Sequence, residues 1–329
     1  MKEALFYNKS GSAALCRLCP HHCKILPGKT GICLNRKNLD GTLYALGYGH
    51  ISAAHMDPIE KKPLFHYYPG EVIFSIGGYG CSFSCPFCQN YNISRVQSPA
   101  VEEISPQQCV ESALESGSKL LAFTYNEPYI NYEYLLETSK IAYQNGLKNV
   151  LVTNGYYETE PWEELSPFID AMNIDLKGTA AFYKKLCLAE VEPVLKTIQS
   201  AFLKGIHLEV TMLVIPDEND STEAVDFVID FIASVSKDIP LHFSRYFPQY
   251  KMTNPPTTEK SLIQIYQRAK QKLNHVYLGN VLLKGTEDTF CPSCKELLIE
   301  RTAYHTHILK DFIKGRCNSC KTLLYGRFH

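Results

Sequence analysis

The stretch Glu71–Ser94 reads EVIFSIGGYGCSFSCPFCQNYNIS, and the rest of the chain is read from it. Its first half is a short apolar run of strand character that ends in two glycines. Its second half sets Cys81, Cys85 and Cys88 at the spacing C-x3-C-x2-C. A strand that opens directly into a cysteine loop reads as the start of a βα unit with its chemistry at the strand end. Three thiols rather than four leave one corner of a metal cluster without a protein ligand, the vacancy a small molecule needs in order to be activated there. The competing readings are a fourth ligand from Cys109 or Cys187, or a three-cysteine zinc site completed by histidine or water.

The same beat recurs downstream. Strands are expected in KLLAFTYNEP (119–128), NVLVTNG (149–155), AMNIDLKG (171–178), HLEVTMLVIP (207–216), IPLHFSRYFP (239–248) and HVYLGNV (275–281). Helical periodicity falls between them: Pro106–Gly117, Ile130–Gly146 with Gly146 at its end, Glu160–Ile169, a stretch to about Lys204, Ser221–Val235 capped by Ser221 or Thr222, and Thr258–Asn274. Apolar strands alternating with helices indicate an α/β fold with a parallel sheet covered on both faces, a full or partial (β/α) barrel. A doubly wound open sheet is the alternative, but the first βα loop lacks a glycine-rich dinucleotide fingerprint. Polar groups collect at the strand ends: Cys81–Cys88, Asn126–Glu127, Thr153–Asn154, Asp175–Lys177 and Ser244–Arg245. The expected organisation is a cysteine-rich metal-binding segment (1–70), the βα repeat (71–285) and a small C-terminal module (286–329).

Thirteen cysteines in a chain with no secretory signal argue for metal over disulfides, because eleven of them fall into three clusters. Cys291, Cys294, Cys317 and Cys320 form two C-x2-C knuckles 22 residues apart, the pattern of a zinc-ribbon-like structural site. A rubredoxin-like iron is the smaller alternative, and His305 and His307 are competing ligands. So short a segment has little core of its own, so the metal would supply folding energy. Cys16, Cys19, Cys23 and Cys33, at C-x2-C-x3-C-x9-C, suit either zinc or a second iron–sulfur cluster, with His21 and His22 as substitutes. Net charge of −1 argues against a nucleic-acid partner held by bulk electrostatics. No apolar run reaches membrane-spanning length, and a cytoplasmic location is expected.

C-x3-C-x2-C, with Phe87 before the last cysteine and in the loop after the first strand, resembles the radical S-adenosylmethionine (SAM) superfamily. The ordered segments DPIEKKPLFHYYPG, GCSFSCPFCQNYNIS, FTYNEP, VTNGY, NIDLKG and VIPDEND are similar to the branch related to pyruvate formate-lyase activating enzyme. Within it they look like the radical enzyme of the AmmeMemoRadiSam system, named for its association with Memo-family and AMMECR-type proteins. The resemblance implies a 4Fe–4S cluster on Cys81, Cys85 and Cys88 that binds S-adenosyl-L-methionine and cleaves it to methionine and a 5′-deoxyadenosyl radical. It further implies Phe87 and Phe247 near the adenine, Asn126 and Glu127 near the methionyl amine, and Asn154, Asp175 and Lys177 around ribose and carboxylate. Tyr125-Asn126 stands where the family has two glycines, and Val152 where activating enzymes carry an aspartate.

Plainer readings stand beside these: an ion pair at Asp175 and Lys177, a turn at Asn154-Gly155, a helix cap at Glu127, an inert buried thiol at Cys187. The implied reductant is a flavodoxin or ferredoxin, or the N-terminal cluster if it holds iron. The substrate would be a small molecule or a modification target, in a closed pocket lidded by the cysteine-rich ends. A glycyl segment of a partner protein, in an open groove, is the alternative. From another class come a multi-zinc scaffold for protein or RNA and an iron–sulfur electron carrier.

Overall fold

In the computed structural model, residues 1–96, 99–310 and 312–328 are described. Eight strands form the central sheet: β1 (Ala53–Pro58), β2 (Val72–Gly77), β3 (Leu120–Phe123), β4 (Lys148–Thr153), β5 (Ala171–Asp175), β6 (His207–Val214), β7 (Leu241–Arg245) and β8 (Val276–Gly279). They lie side by side in chain order. β2 to β8 run parallel, and β1 pairs antiparallel with β2, Asp57 opposite Ile73. β1 and β8 do not pair, so the form realised is an open, partial barrel rather than a closed one.

Six helices make the main crossovers: α1 (Pro106–Glu115), α2 (Tyr132–Gln144), α3 (Thr159–Leu165), α4 (Glu192–Leu203), α5 (Thr222–Val235) and α6 (Glu259–Ala269). Their starts follow from local chemistry. Ser105 and Gln108 form a reciprocal capping box ahead of α1, Ser221 accepts from the Ala224 amide, and Thr258 accepts from the Ser261 amide. Gly146, at φ +78°, supplies the left-handed residue after α2.

The strands divide by period two. Leu121, Leu151, Met172, Leu208, Val210 and Phe243 belong to the large helix-covered core. Leu120, Ala122, Val150 and Ala171 face the other way, against Ile59, Leu64 and Tyr67. The segment joining β1 to β2 is therefore a plug that fills the concave face. It is pinned by Glu209, fully buried on β6. That carboxylate accepts from the amides of Phe65 (3.0 Å) and His66 (2.7 Å) and from the rings of His207 (3.0 Å) and His242 (2.7 Å). Burial opposes its charge, yet the His207 and His242 rings hold Glu209 well below the usual carboxylate range.

The C-terminal module, with strands Thr289–Phe290, Leu297–Thr302 and His305–Ile308, docks on this plug. Arg301 donates to the Phe65 carbonyl (2.7 Å), the Tyr325 carbonyl accepts from His66 Nδ1 (2.7 Å), and the Tyr325 hydroxyl accepts from the Leu208 amide (2.9 Å). Leu208 is near the start of β6, so the module sits at the end of the sheet opposite the cysteine loop. The expected lid of two terminal segments is corrected: only the N-terminal segment lies at the mouth. There His21 Nε2 bonds the Ser82 carbonyl (2.8 Å), and Asn35 donates to the Tyr79 carbonyl (3.2 Å).

Glu209→Ala leaves four buried donors facing one another, and urea unfolding should show a loss of about 3–5 kcal/mol. A loss below 1 kcal/mol would contradict the anchoring role. Burial also lowers His66 and His275, the latter to about 4, against roughly 6.5 in the unfolded chain. Between those values the unfolded state binds more protons, so stability should fall as pH drops from about 6.5 toward 4. A urea midpoint that stays flat over that range would refute this.

Candidate active site at the strand ends

Gly77, the last residue of β2, is a glycine for steric reasons: a Cβ there would meet the Thr124 carbonyl at 2.9 Å. The loop beyond it is clamped by Asn126, which accepts from the Gly78 amide (3.0 Å) and donates to the Gly80 carbonyl (3.0 Å). Tyr125 holds φ +69°, so the left-handed backbone suited to glycine is kept by a tyrosine, whose hydroxyl is tied to Asp57. Cys85 is buried, and Cys81 and Cys88 are partly so. Burial raises the Cys81 and Cys88 thiols, and for Cys85 the larger cause is a hydrogen bond with Cys187.

Cys187, fully buried, thus lies against Cys85, and its carbonyl accepts from the Ser84 amide (3.3 Å). Cys109 is buried in α1 beside Tyr134.

Glu127 is also buried. It accepts from the amides of Tyr129 (3.0 Å) and Asn154 (2.8 Å) and from the Thr153 hydroxyl (2.8 Å). Burial nevertheless raises it to about 7. It caps the turn at Pro128–Asn131 and also ties the end of β3 to the end of β4. Asn154 carries the tie onward: its amide donates to the Ser82 hydroxyl (2.9 Å) and, at 3.7 Å, to the Cys81 sulfur. One chain of hydrogen bonds so joins Glu127, Thr153 and Asn154 to the first cysteine.

Lys177 and Asp175 form an ion pair (2.6 Å) at the end of β5. Burial opposes the charge of Lys177, yet the paired Asp175 carboxylate favours it and the amine is raised, not lowered. Tyr183 accepts from the Lys177 amide (3.1 Å), and Asn219 donates to the Lys177 carbonyl (2.7 Å) and the Leu213 carbonyl (2.8 Å). VIPDEND therefore works through Asn219, which sequence reasoning did not single out although it quoted the motif. Ser82, Tyr183 and Asn219 carried no spacing signal, because their partners lie 40 or more residues away or depend on a turn.

The aromatic residues diverge. Phe87 is buried against Phe182 (5.8 Å), whereas Phe247 is 44% exposed, its ring under the Arg245 guanidinium. The loop after β7 reaches across to the cysteine loop: the Lys251 amide donates to the Pro86 carbonyl (2.9 Å), and Tyr250 stacks on Tyr91 at 4.7 Å. The mouth is bridged by loops where the strands leave it open.

Among the described residues, one set of three or more cysteine, histidine or carboxylate ligand atoms lies within 4.8 Å of one another, Cys291, Cys294, Cys317 and Cys320. His305 and His307 stay outside it. Sulfur separations of 3.4 and 3.6 Å there approach the edge of about 3.8 Å that four thiolates around one ion require at 2.3 Å. Cys81, Cys85 and Cys88 are not so gathered, nor are Cys16, Cys19, Cys23 and Cys33.

A model of the radical SAM superfamily matches residues 75–228. MJ0808, an uncharacterized protein of Methanocaldococcus jannaschii, is 43% identical over 327 residues, covering 97% of this chain and 98% of its own. A domain of a pyruvate-formate lyase-activating enzyme from Bacteroides vulgatus aligns with 48% of this chain and 98% of its own at 21% identity, with a TM-score of 0.43. QueE from Escherichia coli aligns with 70% and 92%, respectively, at 11% identity, with a TM-score of 0.44. No helix among the described residues is long and apolar enough to cross a membrane.

Asn219→Ala should unfix the Lys177 loop, with a stability loss of about 1–3 kcal/mol and faster hydrogen exchange at Gly178. Unchanged exchange there would remove Asn219 from the site's support.

Proposed function

The chain belongs to the radical SAM superfamily, and on that premise we propose that Cys81, Cys85 and Cys88 hold a 4Fe–4S cluster at which S-adenosylmethionine is cleaved to start hydrogen abstraction from a substrate. The observation that carries this reading is the donor set. Three thiols share one desolvated loop without the close spacing of the C-terminal four, with an amide on one sulfur and a cationic lysine beside another. These residues fit the group. The chemistry it supplies when bound is one-electron cleavage of the sulfonium.

The chain's own contribution is positioning. Asn154 orients Cys81, and Asn126 fixes the glycines that set the loop's path. Lys177 offers a point charge for the carboxylate of S-adenosylmethionine, held by Asp175 and Asn219. Glu127 acts on the cosubstrate through Asn154 and the strand ends rather than by contact. Phe87 and Phe247 are assigned to the adenine side, Phe247 from the rim.

On the six ordered motifs we place the enzyme in the AmmeMemoRadiSam type, working beside Memo-family and AMMECR-type partners in the cytoplasm, with a flavodoxin or ferredoxin as reductant. The bridged mouth, with Tyr91 on Tyr250 and Lys251 on Pro86, favours a small molecule or a compact modification target over the extended glycyl segment of an activating enzyme's partner. The four C-terminal thiols are assigned to zinc, on their separations and on a small module core, among the described residues Leu298, Ile299, Phe312 and Leu324 with Phe328 against them, beside the cysteines.

Anaerobically reconstituted protein given S-adenosylmethionine and dithionite should form 5′-deoxyadenosine, and Cys85→Ala should form none. Equal amounts from both would end the reading. Lys177→Met should weaken S-adenosylmethionine binding about tenfold or more at unchanged iron content, measured by calorimetric titration. Chelation should release one zinc per chain and melt the C-terminal module without loss of the sheet's circular dichroism. A module that keeps its near-ultraviolet signal after zinc removal would refute the metal's folding role.

A further inference from the structure

Cys16, Cys19, Cys23 and Cys33 line one cavity, together with Leu18, Ile25, Ile32, Ile130 and the buried Arg36. It is nearly closed in the protein alone, enclosing ≈ 20 Å³, room for about one water. Unlike the C-terminal four, these sulfurs do not gather within 4.8 Å, although local backbone bonds such as Cys16 N to Cys23 O (3.0 Å) bring their segments together. One tetrahedral ion draws four thiolates to about 3.8 Å apart, whereas a cluster sets its thiolates on different irons with sulfide between them. Among the described residues, the close spacing of a single-ion site is thus found in the C-terminal four and not in these.

A second observation points into the cavity. Arg36 is 1% exposed, and its terminal nitrogens are engaged by Glu133 (2.8 and 3.0 Å) and the Leu5 carbonyl (3.1 Å). Its Nε–H is buried with no partner in the protein. A buried unpaired donor is costly, and sulfide or thiolate sulfur is an acceptor of the kind such cavities offer. Of the two histidines, His21 also lines the cavity, its Nε2 on the Ser82 carbonyl, whereas His22 is paired with Glu158 (2.9 Å).

The cavity also shares a wall with the central loop. Ser82, next to Cys81, lines it, and the Cys33 carbonyl packs so closely on Gly80 that a Cβ there would lie 2.3 Å away.

We propose that Cys16, Cys19, Cys23 and Cys33 ligate an iron–sulfur cluster, a redox site adjoining the one on Cys81, Cys85 and Cys88. Its role as a relay rests on the radical SAM reading. With a cluster there, these four residues would let a one-electron protein reductant of flavodoxin or ferredoxin class, itself oxidised by one electron, supply the central site with the one electron that opening a carbon–sulfur bond of the sulfonium consumes.

The test is acid-labile sulfide, which a mononuclear zinc or iron site lacks. Full-length protein with Cys81, Cys85 and Cys88 all changed to Ala, reconstituted anaerobically, should keep about two or four sulfides per chain, with a paramagnetic signal after dithionite. No sulfide, with one zinc or iron in the N-terminal four, overturns the proposal. Cys19→Ala with Cys33→Ala, the central cysteines intact, should lose that share of sulfide and keep about four. Sulfide unchanged from wild type in this second variant also overturns it. Failure of the radical reading would appear separately, as no sulfide in the second variant while the first keeps its own.

Discussion

The carboxylate of Glu209 is the constraint on which the architecture turns. A parallel sheet that does not close leaves a concave face to be filled, and here the filling is a loop rather than side chains alone. A loop carries backbone donors that need acceptors once water is gone. Glu209 supplies them for Phe65 and His66 while gathering His207 and His242 on its flanks. Arg301 and Tyr325 then dock the C-terminal module onto the plug. One end of the sheet is sealed by this arrangement, and the polar chemistry is left to the other.

At that other end the polar side chains divide their labour. Asn126, Glu127, Asn154 and Asn219 each hold a strand end or a loop of the site, with most hydrogen-bonding groups already engaged. Lys177 is different: it is cationic and beside Cys85. A site built in this way keeps its geometry before any ligand arrives, which is what positioning demands. Arg36 on the N-terminal side shows the reverse, a buried donor without a partner in the protein.

Much of the fold was legible. Seven parallel strands, the capped start of α5, and the three cysteine groups could each be read from short-range pattern, because period, caps and ligand spacing are local. Strand β1 was not read, because AAHMDP has no apolar alternation and is recruited by pairing with β2. The plug was quoted as a motif, but its meaning lies in a contact with Glu209 more than 140 residues away. Glu127 looked the same as a ligand and as a cap, since a carboxylate before proline carries no mark of what it will face.

By itself the sequence determined which chemistry the chain carries: three thiols after a strand, four at each end, and a lysine two residues after an aspartate. Those are matters of residue type and spacing along a few turns of backbone. The tertiary structure alone decided where the terminal groups sit, one beside the central loop and one beneath the opposite end of the sheet. It alone separated four sulfurs drawn together, as around a single ion, from four spread around a cavity. The reason is that sulfur-to-sulfur distance and the choice of sheet end are set by packing between distant segments, through hydrogen bonds and excluded water that no local pattern encodes.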